Sequence, residues 1–241
     1  MKRIRVCLTI GLLWLASSCG GASSASGPAP SADAVSPLPA DTDGGVQVQG
    51  LWGKIDDSIV EETFQRHFDA FLDCYEREGL EILEEMEGEL GVYLIVGPDG
   101  HVTDELYFES GSLGSDATQQ CLLDRISRIV FQKPIGGYHA KVRYAFPFEA
   151  PYDHPAPFDW SGDPIEKVVS ADREAVDACL GGESGVTLTV YVGRGGKVLA
   201  AGGAAATQTG YQAARCLSAR ATAWQFADPG KLRPAKATIE F

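Results

Sequence analysis

Basic residues are scarce in this 241-residue chain: 20 Lys and Arg stand against 33 Asp and Glu, a net charge of −13. That balance excludes sequence-independent binding to nucleic-acid backbones, which needs clustered Lys and Arg. Histidine is sparse too, and His67, His101, His139 and His154 fall in different predicted elements. The chain has no HExxH, no Walker lysine loop and no Gly-x-Ser-x-Gly. Gly193-Arg194-Gly195-Gly196-Lys197 has the glycines of a phosphate loop without its spacing or its Ser/Thr, so it reads as a turn. Acidic residues are plentiful, yet no apolar surround is evident that would set one carboxylate pKa apart from another. These absences point away from an enzyme and from any cofactor or metal. What remains is enough to fold: 44% of the residues are hydrophobic and 22% charged.

At the N-terminus three positive charges, Lys2, Arg3 and Arg5, precede the apolar run Val6 to Leu15, then Ala16-Ser17-Ser18 and Cys19. The order is that of a signal peptide. About ten apolar residues rise only about 15 Å as a helix, half the hydrocarbon thickness, which argues against a permanent span. Small residues ending in a cysteine resemble a bacterial lipobox, with Ala16 where Leu is commoner. The resemblance implies cleavage after residue 18, acylation of Cys19 and anchorage to a membrane. Gly20, where Asp would favour the inner membrane, implies the outer one. Residues 1–18 carry three basic and no acidic side chains, so the mature charge is 17 − 33 = −16. Export also puts the cysteines in an oxidising compartment.

Residues 19–54 are rich in Ala, Ser, Gly, Pro and Asp, the composition of a solvated, disordered tether. Beyond them the chain repeats itself. Gly97-Pro98-Asp99-Gly100-His101-Val102 falls on Gly193-Arg194-Gly195-Gly196-Lys197-Val198 at an offset of 96. At an offset of 95 Cys121 meets Cys216, Phe131 meets Phe226, Pro134 meets Pro229, Lys141 meets Lys236 and Phe146 meets Phe241. Cys74 meets Cys179 at an offset of 105. Matched cysteines, turns and prolines in one order indicate an internal duplication.

Each copy, 55–149 and 165–241, reads as helix, hairpin, helix, strand, an α+β unit in which a small antiparallel sheet packs on two helices. In the first, Ile55, Ile59, Phe64, Phe68, Phe71, Leu72 and Tyr75 form one helical stripe, with Ser58 and Glu61 as a capping box. In the second, Asp163 caps, Pro164 takes the first helical position, and Ile165, Val168, Val169, Val176 and Leu180 form the stripe. Residues 150–164, with Pro151, Pro155, Pro157 and Pro164, read as the linker. One cysteine of each copy falls near the end of its first helix and the other in its second, so repetition selects Cys74 with Cys121 and Cys179 with Cys216 from three pairings.

A helix ending in Cys74-Tyr75-Glu76-Arg77, a strand, Gly-Pro-Asp-Gly-x-Val, a helical cysteine followed by Leu, and an aromatic-x-Phe near a Pro together resemble the AgmX/PglI C-terminal domain, a disulfide-bearing relative of the TonB C-terminal domain. The likeness covers most of 55–149 and, more weakly, 165–241, where Trp224-Gln225-Phe226 keeps the aromatic pattern but Tyr-Glu after the cysteine is lost. It implies an α-β-β-α-β fold and a protein-binding role in the Gram-negative envelope, and it allows swapped homodimers. TonB-type transducers also carry a transmembrane helix, which is lacking here, so energy transduction by this chain alone is not expected.

Charge is divided unequally between the copies. Residues 55–150 carry 20 acidic and 7 basic side chains, whereas 165–241 carry 7 and 9. The densest stretch, Glu76, Glu78, Glu81, Glu84, Glu85 and Glu87, is the candidate surface for a basic envelope partner, with the glycine- and alanine-rich second copy packing or supporting. A free sheet edge at the last strand offers a second route, strand addition. The competing expectation is a cell-wall glycan module, which would show an exposed aromatic row on one sheet face.

Overall fold

The computed structural model describes residues 51–151 and 153–241. Cys19, the signal segment and most of the expected tether lie outside them. The order is α1 (Asp57–Arg66), α2 (Phe68–Tyr75), a π-helical turn (Glu76–Leu80), β1 (Gly88–Val96), β2 (Val102–Gly111), α3 (Asp116–Ile126) and β3 (Ala140–Phe148). Then come β4 (Phe158–Asp159), α4 (Asp163–Ala171), α5 (Arg173–Leu180), β5 (Val186–Val192), β6 (Val198–Ala205), α6 (Gln208–Ala221) and β7 (Ala235–Glu240). A helix pair, a hairpin, a helix and a strand thus occur twice, in an α+β fold.

The first sheet has the strand order β2-β1-β3, all antiparallel. Its hairpin closes at Gly97–Gly100, where Gly97 N–H donates to His101 O at 2.7 Å and Gly100 takes a φ of 93° that suits glycine. The second sheet runs β4-β7-β5-β6. Its hairpin turns at Arg194–Gly196, as expected of that glycine run. Alternate residues of β1 (Leu90, Val92, Leu94, Val96) and of β5 (Val186, Leu188, Val190, Val192) are buried on the helix side. Phe64 anchors the first core, 5.6 Å from the Phe131 ring, 5.4 Å from Phe146 and stacked 4.3 Å from Tyr144.

Both disulfides form as repetition selects: Cys74–Cys121 closes a separation of 47 residues and Cys179–Cys216 one of 37.

Four expectations need correction. The first helix of each copy is a broken pair, interrupted at His67 (φ −104°, ψ 4°) and at Asp172 (φ −108°, ψ 20°), positions 105 apart like the cysteines. The break turns Phe64 and Phe71 to one core, rings 6.0 Å apart, and leaves Phe68 of the expected stripe 44% exposed. The capping box is absent: Asp56 is the N-cap of α1, without a side-chain bond, and Ser58 lies inside the helix. In the second copy Gly162, at a φ of 87°, is the N-cap and Asp163 already helical. The linker is partly sheet: β4 pairs in parallel with β7 through Phe158↔Ala235 and Asp159↔Lys236, which covers the first two of the six residues on the edge expected to be free there. At the corresponding edge of the first sheet, β3 carries Pro147, which has no N–H to offer an added strand.

The two halves lie within one compact unit, Val48–Phe241. The face of the second sheet away from its helices carries Thr187, Thr189 and Tyr191 with Ala204, Gly202 and Ala200 opposite them, and Thr238 and Lys236 on β7. Small residues there let the first half approach at backbone distance. A Cβ on Gly202 would overlap Ser115 N, and one on Gly114 would come within 2.9 Å of Thr189 and Tyr191 side-chain carbons. Gln119 Nε2 donates to Gly203 O at 2.9 Å in this seam. The Tyr191 hydroxyl and Lys236 Nζ both donate to Glu87 O at 2.7 Å. Tyr107 donates to Ala206 O and Gln208 to Asp104 O at its rim. On the first sheet the positions matching Thr189, Gly202 and Thr238 are occupied by Tyr93, Tyr107 and Arg143, whose bulk fills the same face from within. The glycine and alanine content of β6 is therefore what makes the seam.

Candidate acidic surface and the face beside it

Residues 76–87 leave α2 by the π-helical turn and return to β1 pinned by three apolar points. Gly79, Leu83 and Met86 are buried, and the Tyr75 hydroxyl, its pKa raised by burial, donates to Met86 O. With those points inward, the carboxylates turn outward. Glu76, Glu81 and Glu84 are exposed, whereas Glu78, Glu85 and Glu87 are half-buried. Arg77 lies 3.5 Å from Asp73 and 3.9 Å from Glu78, and His154 sits 3.2 Å from Glu84. Glu85 lines a shallow depression with Pro155, Lys231, Leu232 and Arg233. The six predicted glutamates thus divide. Glu76, Glu81 and Glu84 form an outward acidic ridge, Glu85 faces a basic loop of the second half, and Glu87 belongs to the seam through its backbone.

The ridge can attract a cationic surface; it has no built pocket around a reacting group. Among the described residues no group of three or more His, Cys, Asp or Glu is placed to hold a metal. The histidines are dispersed: His67 ends α1, His101 pairs with Asp99 at 3.3 Å, His154 with Glu84, and His139 lines a pocket on the first sheet.

That pocket, about 320 Å³, is formed by Leu51, Trp52, Ile95, Thr103, Glu105 and His139. Its wall is a strap, Leu51–Lys54, drawn from the expected tether onto the loop before β3. Gly53 N–H donates to His139 O at 2.8 Å, and Lys54 and Ile135 exchange backbone bonds. Trp52 is 49% exposed with Lys141 Nζ 4.1 Å from its ring centre. Further along the face Tyr93 and Tyr107 lie 5.1 Å apart under Arg143, which bonds Glu109 at 2.8 Å. Burial pushes both phenols up, and the Glu109 hydrogen bond raises Arg143. Tyr93 and Tyr107 are only 5% and 6% exposed, so they do not form the aromatic row a glycan module would show.

No known family, curated protein or solved structure matches this chain.

Sequence reasoning missed the strap and pocket because Leu51 and Trp52 fall in a stretch whose composition is that of a linker. It also missed the seam, although a signal was there. The duplication places Thr189 on Tyr93 and Thr238 on Arg143, so the loss of bulk from one face of the second copy could be read directly. No helix among the described residues is long and apolar enough to cross a membrane.

Proposed function

We propose that the chain is a non-enzymatic lipoprotein of the cell envelope, anchored through Cys19 at the outer membrane, that presents two TonB-C-like units of the AgmX/PglI type as a protein-binding adaptor. The second unit is the support. Its open sheet face is spent on the first unit, and its charge is nearly balanced. The first unit is the reader, carrying a net charge of 7 − 20 = −13 over residues 55–150. The observation that carries this reading is the outward ridge Glu76, Glu81 and Glu84, displayed on a turn that the buried Leu83 and Met86 pin to the core. Two disulfides in one small body suit an oxidising compartment. The partner is a basic surface on another envelope protein.

The test is crosslinking in intact cells followed by purification of the tagged full chain, compared with Glu76→Gln/Glu81→Gln/Glu84→Gln and with Glu166→Gln/Glu174→Gln/Glu240→Gln as a charge-matched control on the second half. A partner lost with the ridge variant alone, and lost in high salt, supports the adaptor. A partner retained by the ridge variant, or only murein fragments with every protein, overturns it.

A further inference from the structure

We propose that the strap and the loop before β3 form a lipid-contacting surface, by which the first half lies against an anionic bilayer. The inference rests on the lipoprotein reading above for its geometry in the cell.

Four large apolar side chains are exposed on these two hydrogen-bonded segments: Leu51 at 67%, Trp52 at 49%, Ile135 at 62% and Tyr138 at 47%. Elsewhere apolar residues of this size are exposed singly, as Phe68, Ile82 and Leu232 are. The charge around them is inverted relative to the rest of the half. From 127 to 148 the sequence holds Arg128, Lys133, Lys141 and Arg143 and no acidic residue, within a stretch whose net charge is −13. Arg128 is paired with Asp124 at 2.6 Å and Arg143 with Glu109 at 2.8 Å, so the unpaired cations among the described residues here are Lys133 and Lys141. The other nearby carboxylates are Asp56, paired with Lys54 at 3.0 Å, and Glu105 at the pocket wall. Exposed Trp and Tyr among aliphatic side chains, with exposed lysines beside them in the fold, Lys141 over the Trp52 ring, and in the sequence, Lys133, are what a headgroup boundary accommodates. An acidic protein surface would satisfy the lysines but leave the aliphatic groups without a reason to be exposed. Position along the chain favours lipid as well, since Leu51 follows the candidate acylated cysteine by only 51 − 19 = 32 residues.

The test uses the chain from Gly20 onward, which keeps the whole Val48–Phe241 body and has no acyl group. It is floated with phosphatidylethanolamine/phosphatidylglycerol vesicles and with phosphatidylcholine vesicles. The expected result is binding to the anionic vesicles with a blue shift of tryptophan emission. Binding should fall about fivefold for each of Lys133→Gln and Lys141→Gln and vanish in Trp52→Ala/Tyr138→Ala, with melting temperatures unchanged. Lys167→Gln and Lys231→Gln should bind as wild type does. No flotation, or equal losses in the control variants, overturns the proposal. So does self-association abolished by the same patch substitutions in a protein that binds no vesicle, which would mean that a second copy covers the patch. The anchor is read separately, by labelled palmitate incorporation in cells with and without Cys19→Ser. Vesicle binding by a protein that takes up no label would refute the anchor and leave the surface standing; a labelled protein without vesicle binding would do the reverse.

Discussion

Gly202 is the position at which the seam between the halves can be tested with one methyl group. The residue has ordinary backbone geometry, so Gly202→Ala adds no dihedral strain, and the effect is steric. The new Cβ would overlap Ser115 N and lie 2.8 Å from both Ser115 C and Gln119 Oε1. Ser115 is the N-cap of α3, its hydroxyl accepting from Thr118 N–H at 3.2 Å, so it cannot yield without disturbing the helix start. Gln119 is held by its bond to Gly203 O and cannot swing aside cheaply. Overpacking of this kind costs about 1–3 kcal/mol, or about 2–4 °C in melting temperature per kcal/mol for a body of this size. The informative readout is local. Hydrogen exchange should accelerate in Gly111–Gln119 and near Glu87, while α5 and the strand β7 interior keep their protection. Gly203→Ala, whose Cβ meets Thr187 O at 2.6 Å and Ala214 Cβ at 3.0 Å inside the second half, should instead loosen β5 and α6. A Gly202→Ala protein with wild-type exchange at Gly111–Gln119 would refute the seam.

Tyr191→Phe should cost about 1 kcal/mol in urea unfolding, the scale of one hydrogen bond, and its effect should be non-additive with Lys236→Met because both side chains donate to Glu87 O; additive losses would show that they do not share that acceptor. The Arg220 guanidinium, aided by the Trp224 indole N–H, holds Asp172 down to about 2. A depressed carboxylate stabilises above its ordinary pKa and loses that contribution as pH falls through the folded value, so the stability deficit of Asp172→Asn should be full at pH 7 and close between about pH 4 and pH 2, measured by denaturant midpoints. Each Cys→Ser pair should cost about 4 kcal/mol in the chain-entropy account. Of the two bridges Cys179–Cys216 should be reduced first, since Cys216 is exposed and Cys74 fully buried; alkylation and mass mapping at rising dithiol concentration would show the order.

Much of the architecture was legible because duplication converts a weak pattern into two independent readings. Matched cysteines gave the pairing, and matched glycine turns gave both hairpins. The helix breaks were not legible: Phe64, Phe68 and Phe71 keep helical spacing on both sides of His67, and only packing shows that Phe68 has left the core. Nor was β4, because Phe158 and Asp159 sit in a proline-rich stretch whose two ladder partners come from β7. For the candidate site, composition located the acidic stretch but not its division. Glu87 differs from Glu81 only in that the backbone at 87 meets Tyr191 and Lys236, residues more than 100 positions away.

The central claim is that the ridge of the first half meets a basic protein partner. A photo-crosslinking amino acid placed in living cells at 76, 81 or 84, and at the exposed position 219 on α6 as control, tests it most directly. The account predicts one envelope protein crosslinked from the ridge positions and not from 219, with adducts that decline as ionic strength rises. Equal adducts at all four positions, or none from the ridge, would contradict it.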